Sequence, residues 1–200
     1  MKIEKVKLFL LTLTLIFITK TVLADSPLTS TPFSDKYENL QIVMKAKNGA
    51  IDQEIADYLH SESNLIDNKA AVINALGWGK SNSSQYLNLI YNSPIEESDI
   101  NTLNASEVFV IGYLNAMDNY QNPDGALPFL KRAKSLLSNS YTVNIIYNLV
   151  KAQKVMDLDF CKVWKYGNKV FTNAELEMDM REDARKIIYD YMVIYKDYCK

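Results

Sequence analysis

Residues 104–120 read NASEVFVIGYLNAMDNY, residues 123–137 read PDGALPFLKRAKSLL, and residues 141–156 read YTVNIIYNLVKAQKVM. In the first stretch Val108, Ile111, Leu114 and Ala116 recur at helical spacing. In the second, Leu127, Leu130, Ala133, Leu136 and Leu137 do the same. In the third, Ile145, Ile146, Leu149, Ala152 and Val155 form a wide apolar stripe. Stripes of this width belong to helices that pack on other helices. The connections are short. Asn122-Pro123 and Asp124-Gly125 carry turn signals, and Ser138-Asn139-Ser140 can cap the next helix. Short links between helices imply antiparallel neighbours. The reading is therefore all-α: eight or nine antiparallel helices, forming an irregular helical-repeat array or an orthogonal bundle.

A loose internal echo supports the array. Ala70–Leu76 can be laid over Val108–Leu114 and over Val143–Leu149, which places Ile73 over Ile111 and Ile146 at offsets of 38 and 35 residues. Stacked helical hairpins repeat at such periods. Ala126-x-x-x-Leu130-x-x-Ala133 resembles the second helix of a tetratricopeptide repeat, and the hairpin is equally similar to a HEAT-type helix pair. The resemblance covers one hairpin. It implies a superhelical scaffold that binds other proteins, and it carries over no site residues.

Outward from the centre, the N-terminus reads as a leader. Lys2, Lys5 and Lys7 precede an apolar run from Leu8 to Ile18, and Val22-Leu23-Ala24 places small residues at a cleavage site. This pattern predicts a secretory signal peptide over residues 1–24, cut after Ala24. The run is shorter than the roughly 20 residues that a spanning helix needs. Residues 25–34, with Ser26-Pro27, Thr29-Ser30-Thr31 and Pro32, read as a flexible lead-in. Residues 35–200 then form a single helical domain. A helix is expected from Asp35 to about Lys47, another over Ile51–His60, and one capped by Asp67 that stops at Gly77. The last is expected to be long, from Ala174 to Tyr198.

Two cysteines, Cys161 and Cys199, remain in an exported chain, and such a pair predicts a disulfide. On the chain-entropy account, a loop of this length contributes about 4 kcal/mol.

Charge is uneven. Residues 25–103 hold 5 basic and 11 acidic groups, and residues 104–200 hold 13 and 12. An acidic half argues against nucleic acid or an anionic membrane and favours a basic protein partner. Two acidic groups stand out as contact candidates: Glu54 with Asp57, and Glu96 with Glu97 and Asp99. The same acids read equally as a solvated face and as helix-start charges. Trp78, between Gly77 and Gly79, either plugs the core or stands out as an anchor for a partner.

Nucleophile-elbow, zincin, P-loop and dinucleotide-binding patterns are absent from the sequence. His60 is the only histidine and has no metal-ligand spacing around it. Glu107 and Asp118 are the acids nearest an apolar face, at its rim. No cofactor, metal or catalytic residue is implied. The expectation is a binding protein of the periplasm or extracellular space. Within that class the favoured reading is an immunity-type inhibitor of a toxin acting in the cell envelope. A helical-repeat adaptor and a cryptic glycan or peptide hydrolase are the alternatives.

Overall fold

The computed structural model describes residues 26–200. The expected signal peptide, with its cut after Ala24, lies outside the described residues. Nine α-helices follow in order: α1 Gln41–Ala46, α2 Gln53–His60, α3 Ile66–Leu76, α4 Asn82–Tyr91, α5 Ala105–Asp118, α6 Leu127–Leu136, α7 Tyr141–Val155, α8 Phe160–Phe171 and α9 Glu182–Met192. Short 3-10 helices cover Phe33–Tyr37, Glu97–Thr102, Pro123–Ala126 and Val193–Tyr198. Extended pairing among the described residues is limited to a single parallel bridge between Ser140 and Glu177. The fold is all-α.

Helix α5 lies at the centre. An unbroken run from Val108 to Leu114 is buried, as are Ala116 and Met117. A helix apolar on all sides is stable only when other helices surround it, and α5 packs against α3, α4 and α6. Its start is fixed by a capping box: Asn104 accepts from the Glu107 amide at 2.9 Å, and Glu107 accepts from the Asn104 amide at 2.8 Å. Helix α7 is the second buried rod and packs against α6 and α8. Ser140 caps it by accepting from the Val143 amide, and Asp159 caps α8 by accepting from the Lys162 amide. A disulfide joins Cys161 of α8 to Cys199 just past the last 3-10 helix.

The chain closes on itself. The first 3-10 helix packs against both α3 and α9. Arg181 donates to the Lys36 carbonyl and to Asn39 Oδ1, each at 2.6 Å, and its guanidinium lies 4.2 Å from the Tyr37 ring centre. The helices thus form a closed bundle. Contact between the first and last segments is a feature of the expected bundle.

Three sequence expectations need correction. Residues 26–34 are packed rather than free: Leu28 and Phe33 are buried, and Ser26 Oγ donates to Gln153 Oε1 of α7. Asn74 of α3 holds the same segment, donating to the Thr31 carbonyl and accepting from the Ser34 amide. The Ser/Thr/Pro composition concealed two apolar anchors. Second, the helix expected over Asp35–Lys47 is split by Leu40, whose ψ of 115° is extended. Asp35 and Glu38 both reach forward to Lys47, and Phe33 and Tyr37 are buried on a separate short turn. Third, the last helix begins at Glu182 rather than Ala174. The stretch before it is a strap that completes the start of α7. Glu177 exchanges backbone hydrogen bonds with Asn139 and Tyr141, and Asp179 accepts from the Thr142 amide at 2.8 Å and from Ser140 Oγ at 2.5 Å. These acids cap a neighbouring helix and do not begin their own.

Gly112 sets the closest approach of α5 to α6. A Cβ there would meet Phe129 Cβ and Leu130 Cγ, both at 2.9 Å. Gly112→Ala should therefore destabilise the fold by about 1–3 kcal/mol in urea unfolding, although Ala is the better helix former by ~1 kcal/mol. Unchanged or raised stability would show that α6 can move aside.

Candidate binding groove

Alternation along the bundle brings the starts of α3, α5, α7 and α9 to one side, where three adjoining hollows form. The first, of about 380 Å3, lies between Leu65 and Ile66 at the start of α3, Asn104 to Ser106 at the start of α5, and Leu137 before α7. The second, of about 420 Å3, shares Leu65 and Ile66 and is closed by Met178 to Arg181 of the strap. The third, of about 360 Å3, shares Met178 and runs along Tyr141, Phe171, Arg185 and Tyr189. The three hollows adjoin one another through Leu65, Ile66 and Met178, and are referred to together as the groove. Large apolar side chains stand out along it: Leu65 is 67% exposed, Met178 46% and Tyr189 42%.

Ionisable groups are buried beneath this surface. Tyr37 donates to Asp67 Oδ2 at 3.0 Å and accepts from the Arg181 amide at 3.2 Å. Burial raises the Asp67 carboxyl above its ordinary range, against the opposing hydrogen bond from Tyr37. Burial likewise raises the Tyr37 hydroxyl. Lys69 of α3 has no exposed surface and donates to Ser106 Oγ at the start of α5. Burial lowers its ammonium to about 8, and the charges of Glu62 and Glu107 oppose that shift. Glu107 also accepts from the Tyr91 hydroxyl at 3.0 Å, and His60 Nδ1 stands 3.8 Å from it.

Two of these groups correct the sequence reading. Asp67 was expected to cap α3, but the cap position is Leu65, and Asp67 sits buried in the first turn. Glu107 and Asp118 are therefore not the only acids close to the core: Asp67 is buried as well. Lys69 was not singled out at all. Its signal was available: residues 69, 72, 73 and 76 fall on one helical stripe, so a lysine stands in phase with Val72, Ile73 and Leu76.

The residues singled out as contact candidates lie elsewhere. Trp78 is 42% exposed on the turn after α3, between Gly77 and Gly79 at φ +77° and +65°, and rests edge-on against Tyr120 at 5.1 Å. It is therefore not a core plug. Most of these acids already have nearby partners. Lys45 pairs with both Glu54 and Asp52, Gln53 donates to Asp57, and Asp99 accepts from the Glu96 amide within its own turn. Glu97 is exposed.

No family model matches the chain, and neither a curated protein nor a solved structure does. Among the described residues, no helix is long and apolar enough to cross a membrane, and no group of three or more His, Cys, Asp or Glu side chains is placed to hold a metal ion.

Asp67 makes stability depend on pH. The folded state holds its proton more tightly than the unfolded chain does. Its contribution is therefore complete below the ordinary carboxylate value of about 4 and is lost as pH rises through the raised folded value. Asp67→Asn keeps an acceptor for Tyr37 and removes the charge. Its urea midpoint at pH 7 should equal or exceed that of the native chain, with a flatter pH profile between 4 and 7. A loss of stability at pH 7 would show that the ionised carboxylate is needed.

Proposed function

We propose that the chain is an exported protein-binding module, and within that class an immunity-type inhibitor of a toxin acting in the cell envelope. The observation that carries the reading is the groove: three joined hollows edged by exposed Leu65, Met178 and Tyr189. Exposed apolar side chains gathered along one concavity mark contact surfaces rather than ordinary solvent-facing skin. Methionine and tyrosine suit that use, since one adapts its shape and the other combines apolar area with a polar tip.

The Cys161–Cys199 bridge fits a chain that matures in an oxidising compartment. The acidic first half fits a basic partner. With Glu54 already paired, the acids contribute to a general field that speeds encounter, and the apolar groove holds the complex. Closure of the bundle removes the open concave surface that a repeat adaptor would use, which favours the inhibitor over that alternative.

The test is capture from envelope extract at low and high salt, using the tagged full chain and two variants. Leu65→Glu with Met178→Glu should weaken the captured partner by about 100-fold, the loss of two anchors worth ~1–2 kcal/mol each. Lysines at Glu96, Glu97 and Asp99 should slow association and reduce its salt dependence while leaving dissociation unchanged. A partner held equally by native chain and groove variant would overturn the assignment.

A further inference from the structure

One end of the groove carries chemistry that partner binding does not use. Lys69 rises from the buried side of α3 and donates to Ser106 Oγ, and Ser106 is half-buried in the wall of the 380 Å3 hollow. A fully buried amine thus meets a hydroxyl that solvent can reach. The acids that face Lys69 are Glu62, from the loop after α2, and Glu107, from α5. Glu107 is engaged by Tyr91 and by the Asn104 amide, and Glu62 accepts from Asn104 Nδ2 at 2.6 Å. Both are thereby held by groups other than the amine. Burial leaves the amine easier to deprotonate than a surface lysine, so a useful fraction is neutral near pH 8.

We propose that Ser106 is a nucleophile and Lys69 its general base, and that the pair hydrolyses carboxylic esters with an apolar acyl group. The neutral Lys69 amine takes the Ser106 Oγ proton as Oγ bonds to the ester carbonyl carbon. The bond from that carbon to the alkoxide then breaks, and the Lys69 ammonium returns the proton to the departing alcohol. Water attacks the acyl-serine next. Lys69 takes the water proton and passes it to Ser106 Oγ as the acid leaves. The net change is ester plus water to acid plus alcohol. Serine–lysine pairs are an established solution to acyl transfer on unrelated folds.

The surroundings match each part of this cycle. Ser106 is the second residue of α5. First-turn amides have no acceptor within their own helix, so the Ala105 and Ser106 amides can donate to the oxyanion beside the reacting hydroxyl. Leu65, Ile66 and Leu137 line the same hollow and supply an apolar seat for the acyl group. The Ser106 hollow shares Leu65 and Ile66 with its neighbour, whereas Met178 and Tyr189 lie only in the other two.

The experiment exposes the full chain to an alkyl fluorophosphonate, maps the adduct by peptide mass spectrometry, and follows turnover of p-nitrophenyl butyrate. The expected result is one adduct, on Ser106. Ser106→Ala should lose it and drop turnover by about 100-fold to a background that includes any reaction at His60. Lys69→Met, with its helical circular dichroism intact, should lower both labelling and turnover by at least about tenfold. Where that variant does not fold, Lys69→Arg replaces it with the same expected loss, since a guanidinium does not act as a base near neutral pH. No adduct on Ser106 in the native chain would overturn the proposal. An adduct forming equally fast in a folded Lys69 variant would also overturn it and leave Lys69 a structural residue.

Discussion

The contact between Arg181, Tyr37 and Asp67 decides the shape of this molecule. Three segments far apart in sequence meet there: the first 3-10 helix, the start of α3 and the strap before α9. Each group satisfies another. The tyrosine hydroxyl accepts from one backbone amide and donates to one carboxylate, and the guanidinium covers its ring. A buried polar cluster is costly unless its members are matched, and a matched one specifies a single arrangement. Take it away and the helical pairs would still pack on their neighbours, but nothing polar would hold the first segment against the last. Two of these segments, the start of α3 and the strap, also wall the middle hollow.

The helical core was legible because its signal was local and redundant. Residues 104–156 show long apolar stripes broken by unmistakable turn residues, and the helices appear there with only the ends shifted. Ser140 caps α7 from within the Ser138-Asn139-Ser140 turn, as the sequence allowed. The cysteine pairing followed from there being only two. What the chain concealed was polar side chains serving distant helices. Asp179 looks like the acidic start of its own helix, yet it caps α7. Asp67 looks like a cap and is a buried acceptor. Leu28 hides in a Ser/Thr/Pro segment and is buried all the same. In each case the residue is spent on a partner across the fold, and no window of local sequence shows that partner.

The same reasoning explains why the candidate site was only partly anticipated. Charge patterning pointed to exposed acids, of which Glu54, Asp57 and Asp99 already have partners and Glu97 is exposed. The groove depends on which helix ends meet, and that is a property of topology. Lys69 was readable as a charge on an apolar stripe, but its meeting with Ser106 needed α3 beside α5. Leu65 belongs to both the apolar ridge and the hollow of Ser106, while Met178 and Tyr189 stand in the other hollows, so the two activities can be separated at Met178 and at Ser106 but not at Leu65.

Closure also orders the birth of the fold in time. Ser26 reaches Gln153 across 127 residues, and Lys36 reaches Arg181 across 145. Residues 26–37, made early in synthesis, therefore wait for nearly the whole chain before they find their place. Contacts of such long range form late and slow the final step. Until then the central helices can pair, while Leu28, Phe33 and Tyr37 stay open to proteases and chaperones. A chain built this way leaves residues 26–37 undocked until they meet α7 and the strap, and it gains protection there only then.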